Sequence, residues 1–443
     1  MPPARFLALA APATLAASLT MLAPRPAGAE GARVLTLAEV ERAAQEQPQV
    51  LVARAAASIA QGQADQARAP LLPQVTASAQ YTRETGNFAS NPNQRNAGAG
   101  AGTSLTTSFD YWQFDVDATQ LIYDFGQASQ RHAAAQKTAA AQEFAERTTR
   151  LQVTLGVRRA YFTARAMKEL VGVADETLQD QDRHLVQVQA FVQVGTQPEI
   201  ALAQQKAAVA NAQVLLIGAQ SNYEAAKAQL NQAAGLAQGT DYDVADETLG
   251  PVGDEDGGLQ DLAAKAVAVR PEMATLDAQR QAQEATIGAA QGAFGPTLSA
   301  AAGASEVGLA IGELIPNWYG GLVLSVPIFQ GGLTKAQVQT AEAGLENVHA
   351  QRSVEELQIR LDVDSARLAV RAAKATIPAA DDAVTSAREQ LTLAEQRYAT
   401  GVGSIIELND AQVVYTAAAA QAVQARYGLA SARAQLLAAL GRS

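Results

Sequence analysis

The chain of 443 residues contains no cysteine. That removes disulfide staples and thiolate metal sites, and with them a lipid anchor on an N-terminal cysteine. Aromatic residues make up only 5% of the sequence, although apolar residues make up 48%. The apolar share is mostly alanine, which suits long, closely packed helices better than one thick core. Positive charge is in deficit: 33 Lys and Arg stand against 44 Asp and Glu, a net charge of −11. With no basic patch to displace counterions from phosphates, the composition argues against nucleic acid as a partner. The three histidines, His132, His184 and His349, lack the paired spacing of metal ligands. There is no phosphate-cradling glycine loop, nucleophile elbow or zinc motif. No catalytic residue, cofactor or metal is expected. Beyond the first 29 residues no run of 18 consecutive apolar residues occurs, so no membrane-spanning helix is expected either.

What is present begins with an export signal over residues 1–29. Arg5 supplies the positive end, Phe6 to Leu22 the apolar run, and Ala27-Gly28-Ala29 a small-residue cleavage site. After it the chain repeats itself. Pro48 and Pro73 recur at 271 and 296, an offset of 223; past the first strand the offset becomes 206. At 206, Trp112 matches Trp318, Tyr123 matches Phe329, Gly126 matches Gly332, Gly195 matches Gly401, Leu230 matches Leu436 and Gly235 matches Gly441. The boundaries that follow are a first repeat over 30–235, an acidic connector over 236–258 and a second repeat over 259–443.

Each repeat has the same order of elements. Helical stretches (about 36–69 and 259–292) lead through a proline to a strand, a loop, a second strand and a long helical region (about 126–235 and 329–441). The loop of the first copy, 85–111, is rich in Gly and Asn; that of the second, around 306–317, is shorter. From Gly126 to Val192 no proline interrupts the pattern, and some 65 helical residues extend on the order of 100 Å, so this element is a rod or a wall. The final helix carries Leu408, Tyr415, Ala422, Leu429 and Leu436 every seventh residue, with alanine at 411, 418, 425, 432 and 439. That is a coiled-coil seam of close-packed backbones.

The strands, about 74–84, 111–122, 297–305 and 318–328, alternate. Val75, Ala77, Ala79 and Tyr81 oppose Gln74, Thr76, Ser78, Gln80 and Thr82; Trp112, Phe114 and Val116 oppose Gln113, Asp115 and Asp117. A soluble sheet would bury bulky residues on one face, whereas this face is largely alanine and valine. One face toward lipid, with Asp115 and Asp117 toward a watery lumen, satisfies both, and Trp112, Trp318, Tyr81 and Tyr111 near the loop ends fit an interfacial girdle. Open sheet edges cannot stay unpaired in lipid, and four strands cannot close alone. Several chains must therefore share one barrel; three would supply twelve strands, but these constraints do not select three over two or four.

The stretches RAPLLPQVTASAQYT, QLIYDFGQ, AYFTA, VPIFQGG and RYATGVGSIIELNDAQ, in this order and paired spacing, resemble the outer membrane efflux protein family typified by TolC. The resemblance covers the mature chain. It implies a mixed α and β membrane protein: a homotrimer with a twelve-stranded outer-membrane β-barrel continuous with a periplasmic α-helical tunnel. It further implies an exit duct of a tripartite efflux pump or type I secretion system, working with a periplasmic adaptor protein and a proton-driven or ATP-driven inner-membrane transporter. The matching gate residues are Glu407 and Asp410, one helical turn apart, with Tyr398; six carboxylates in a trimer would favour cations and bind multivalent blockers. The family's lock arginine falls on Gly403 and its first-copy acid on Ala201, so the ionic part of that lock is missing here. Gly195 and Gly401 match the helix tips that meet the adaptor. Ser404-x-x-Glu407 also has capping-box spacing, as does Thr196-x-x-Glu199, and capping is compatible with a gate role. The competing reading is an exported trimeric coiled-coil adhesin or scaffold, against which the hairpin in each half argues. The cargo is not written in these residues.

Overall fold

The computed structural model describes residues 33–85, 108–240 and 242–442. The export signal and most of the first-copy loop lie outside the described residues. The elements run β1 (Arg33–Leu35), α1 (Leu37–Ala44), α2 (Pro48–Arg68), β2 (Gln74–Thr85), β3 (Ser108–Tyr123), α3 (Gln127–Gln193), α4 (Glu199–Ala234) and β4 (Tyr242–Val244). The second half continues α5 (Leu259–Val269), α6 (Pro271–Gly292), β5 (Thr297–Gly308), β6 (Ile315–Ser325), α7 (Leu333–Ala399) and α8 (Ile405–Ala439).

Both helical stretches before the strands are broken in two, at Gln45–Gln47 and at Arg270. The reason is the same proline in each copy: Pro48 and Pro271 occupy the first turns of α2 and α6, where a missing N–H costs nothing and the preceding residue is held extended. α3 and α7 contain 67 residues each, about 100 Å of helix. Pro378 lies inside α7, at the position equivalent to Gly172 of α3, and removes one intrahelical bond there.

Among the described residues, three large apolar clusters and a small one of Ala60, Ala64 and Ala139 between α2 and α3 hold the helices together along this length. Near the middle, Val40, Val157, Tyr161, Phe162, Leu230 and Val244 are buried together. Beside them Leu262, Met273, Ile359, Val363 and Leu436 join α5 and α6 to α7 and α8. At the far end Val188, Leu391, Tyr398, Leu408 and Tyr415 join α3 to α7 and α8. Alanine dominates the remaining buried positions, and it lets neighbouring helices approach closely.

The connector differs from a plain turn-rich linker. Tyr242–Val244 forms β4 and pairs in parallel with β1. Three residues suffice because Tyr242 and Val244 point into the middle cluster while Asp243 binds Lys168. Further on, Glu255 is buried between Arg433 and Lys374. Burial alone would raise its pKa, but the two cations and the Val252 N–H hold it at about 2. The helix α4 also carries an 18-residue window of mean hydropathy 1.2. A search for consecutive apolar residues misses it because polar residues such as Asn211 and Gln213 interrupt the run.

β2, β3, β5 and β6 form one antiparallel sheet in that order. β2 and β5 each start on the residue after a proline, and the hairpins share one register: Gln74 faces Thr119, and Thr297 faces Ser325, 206 residues on. β5 and β6 reach further toward each other than their alternation indicates, leaving only residues 309–314 between them. β6 starts three residues earlier than expected and ends at Ser325 rather than about 328.

Candidate functional site

The residues singled out in the sequence fall in two places on this frame, the sheet and the tips of the long helices. The register sorts the sheet into two faces. Ala77, Val116, Ala304 and Trp318 stand side by side across all four strands, as do Val75, Ala118, Ala302 and Gly320. Tyr81 packs on Trp112 of the same face, with ring centroids 4.6 Å apart. Trp318 is 83% exposed. An apolar face this bare on both sides of the strand order is what a lipid-exposed surface requires.

The opposite face is polar. Ser78, Asp115 and Ser305 align, as do Thr76, Asp117 and Gly303. Gln113 Nε2 donates to both Asp115 oxygens, at 3.0 and 2.9 Å. The Tyr319 hydroxyl donates to Asp117 Oδ1 at 2.7 Å. Gly303 makes that bond possible: a Cβ there would lie 2.6 Å from the Tyr319 ring. Tyr111 stands opposite Thr82 on the polar face, whereas Tyr81, Trp112 and Trp318 share the apolar one, because one residue along a strand reverses the face.

At the other end, α3 turns into α4 and α7 into α8 through the same device. Gly195 and Gly401 adopt φ of +76° and +77°, which a side chain would strain. The N–H of Val402 donates to the Arg397 carbonyl and that of Gly401 to the Tyr398 carbonyl, at 3.0 and 3.1 Å. In the first copy Thr196 and Gly195 bond the carbonyls of Phe191 and Val192 in the same way. These are Schellman closures.

The gate candidates then separate. Glu407 on the first turn of α8 and Asp410 on the second are both exposed. Tyr398 is fully buried, with its ring 5.9 Å from Phe191, and its hydroxyl finds no hydrogen-bond partner among the described residues. Burial pushes its pKa up. Ala201 is 2% exposed in the same cluster, so an apolar contact occupies the place where the family's acid would be.

The capping box is only half formed. Ser404 Oγ accepts the Glu407 N–H at 3.1 Å, but the Glu407 carboxylate is 3.0 Å from Arg397 Nε instead of returning to the Ser404 N–H. Gly403 permits this: a Cβ there would sit 3.0 Å from the Arg397 Cβ and carbonyl carbon. The missing arginine at 403 is therefore answered by one six residues earlier. Sequence reasoning overlooked Arg397 because no local spacing rule joins positions 397 and 407 across a turn. Thr196 does not cap α4 either; its hydroxyl donates to the Phe191 carbonyl, and Pro198 is the residue before the helix.

Comparisons with known proteins agree with this geometry. A Probable outer membrane lipoprotein SilC of Salmonella typhimurium is 24% identical over 300 residues, 65% of this chain and 63% of that protein. The chain thus spans a little under two thirds of that relative. The pyoverdine export outer membrane protein OpmQ of Pseudomonas putida is 26% identical over 367 residues, covering 82% and 76%. Among solved structures, the CmeC outer membrane channel of Campylobacter jejuni superposes with a TM-score of 0.79 at 18% identity, over 91% of this chain and 85% of that one. The family model described as outer membrane efflux protein matches residues 40–236 and 262–442, one stretch for each repeat. The chain belongs to the outer membrane efflux protein family.

Proposed function

We propose that three copies of the chain form the outer-membrane exit duct of a tripartite efflux pump. Their twelve strands would close a barrel, and their long helices would continue it as a tunnel into the periplasm. The observation that carries this reading is the sheet: one exposed apolar face, one polar face, and outer edges of β2 and β6 unpaired among the described residues. Such edges are untenable in lipid unless another chain pairs them. Export of a small molecule is favoured over polypeptide secretion by the relative named for pyoverdine export. The tips around Gly195 and Gly401 are the surface offered to a periplasmic adaptor, which would link the duct to an inner-membrane transporter.

The gate would be the tip, where exposed Glu407 and Asp410 of three chains converge. Transport through it is passive, driven by the transporter. The test is single-channel recording in planar bilayers. The wild type is expected to conduct with cation preference and to be blocked by trivalent cations. Glu407→Ala with Asp410→Ala is expected to lower the preference and relieve the block. Unchanged selectivity in this double variant refutes the gate; a protein that forms no channel refutes the duct.

A further inference from the structure

We infer that the seam between neighbouring copies is β6 of one chain paired antiparallel with β2 of the next, in a register placing Ser325 opposite Ser78 and Leu322 opposite Tyr81 of the neighbouring copy. This rests on the shared-barrel reading and adds to it the residues that meet.

The argument combines the internal repeat with the pairing seen inside the chain. β3 and β6 are equivalent at an offset of 206, β2 and β5 at 223, and the identical hairpin registers verify both offsets. Within the chain, β3 of the first copy pairs with β5 of the second: Thr119 faces Ala301, Val116 faces Ala304, and Tyr123 faces Leu298. Carrying each strand to its equivalent turns that contact into one between chains. Thr119 and Ala301 become Ser325 and Ser78, Val116 and Ala304 become Leu322 and Tyr81, and Tyr123 and Leu298 become Phe329 and Val75. The faces agree throughout: Leu322 and Tyr81 both lie on the apolar face, Ser325 and Ser78 both on the polar face.

Two further observations point to the same partner. β3 continues to Tyr123 because β5 pairs it there, whereas β6 has no such neighbour and stops at Ser325, four residues short of the equivalent Phe329. The unpaired remainder leaves Ile328 94% and Phe329 89% exposed. Pro327 is equivalent to Leu121, the last paired residue before the irregularity of β3, and a proline is tolerated beside such a bulge on an edge strand. On the helices, Leu357 of α7 is 68% exposed while its equivalent Leu151 is 8% exposed, lining a groove with Pro271 and Ala274. The equivalents of those two residues are Pro48 and Leu51, and Leu51 is itself exposed. A second copy in this register would cover both leucines.

The absence of cysteine makes the test clean. Ser78→Cys with Ser325→Cys, in the full chain extracted from membranes, is expected to shift on oxidation from one to three chain masses in a non-reducing gel. Thr76→Cys or Gln80→Cys combined with Ser325→Cys keeps the face but slips the register by two. That places Cα atoms about 8 Å apart, beyond disulfide reach, and is expected to cross-link at least ~10-fold less. Thr119→Cys with Ala301→Cys, paired inside the chain, reports by loss of free thiol that oxidation reaches this face. Preferential cross-linking of a slipped pair overturns the register and leaves the shared barrel standing. With the internal pair oxidised, absence of cross-links in a protein that remains trimeric also overturns it. A monomer with no cross-links overturns the shared barrel itself.

Discussion

Replacing Arg397 by Gln leaves the Glu407 carboxylate without its cation, 3.0 Å away in the structure. Both side chains are about half exposed, so little stability is at stake and the effect is electrostatic. A monovalent cation about 4 Å from the carboxylate and about 7 Å from the guanidinium gains ~1.0 kcal/mol from the first and loses ~0.6 kcal/mol to the second in a water-like dielectric. Removing the arginine returns about 0.6 kcal/mol per unit of charge, hence ~1.8 kcal/mol for a trivalent cation, close to a 20-fold change in affinity. Planar-bilayer titration with a trivalent cation, at ionic strength low enough that screening does not erase contacts of this length, measures it directly. Block is expected to tighten by roughly 20-fold in Arg397→Gln and to return toward the wild type in Arg397→Gln with Glu407→Gln. A block constant unmoved by the first substitution, or equally tight in the second variant, refutes the idea that Arg397 masks Glu407 at the entrance.

Two other outcomes follow from buried groups. Tyr398→Phe removes a hydroxyl that is fully buried without a partner among the described residues, so stability is expected to rise by about 1 kcal/mol with conductance unchanged. Tyr398→Ala, by contrast, is expected to cost about 3–5 kcal/mol in denaturant unfolding. A loss of stability in Tyr398→Phe would mean that the hydroxyl is bonded in the assembled protein. Glu255, held at about 2 by Arg433 and Lys374, contributes stability that is complete above its ordinary 4.5 and lost as pH falls from there toward 2. Glu255→Gln is expected to cost on the order of 3 kcal/mol at pH 7 and to flatten that acid-side loss in thermal unfolding.

Strand alternation, proline placement and the two offsets are local or periodic signals, and such signals survive in one dimension. They located β2, β3 and β5 to within a few residues and predicted which strand face is apolar. They failed where partners are distant in sequence. β1 and β4 are only three residues each and form because the middle cluster buries Leu35, Tyr242 and Val244 together. The end of β6 is likewise decided by what lies beside it.

By itself the sequence determined a duplicated chain of long alanine-rich helices and amphipathic hairpins, because periodicity and turn chemistry act between near neighbours. Only the tertiary structure decided the use of the tip residues. Tyr398 became a buried wedge, Ala201 its apolar contact, and Arg397 rather than position 403 the partner of Glu407. A side chain's partner across a turn is set by where the backbone brings it, and a residue's type and spacing do not contain that direction.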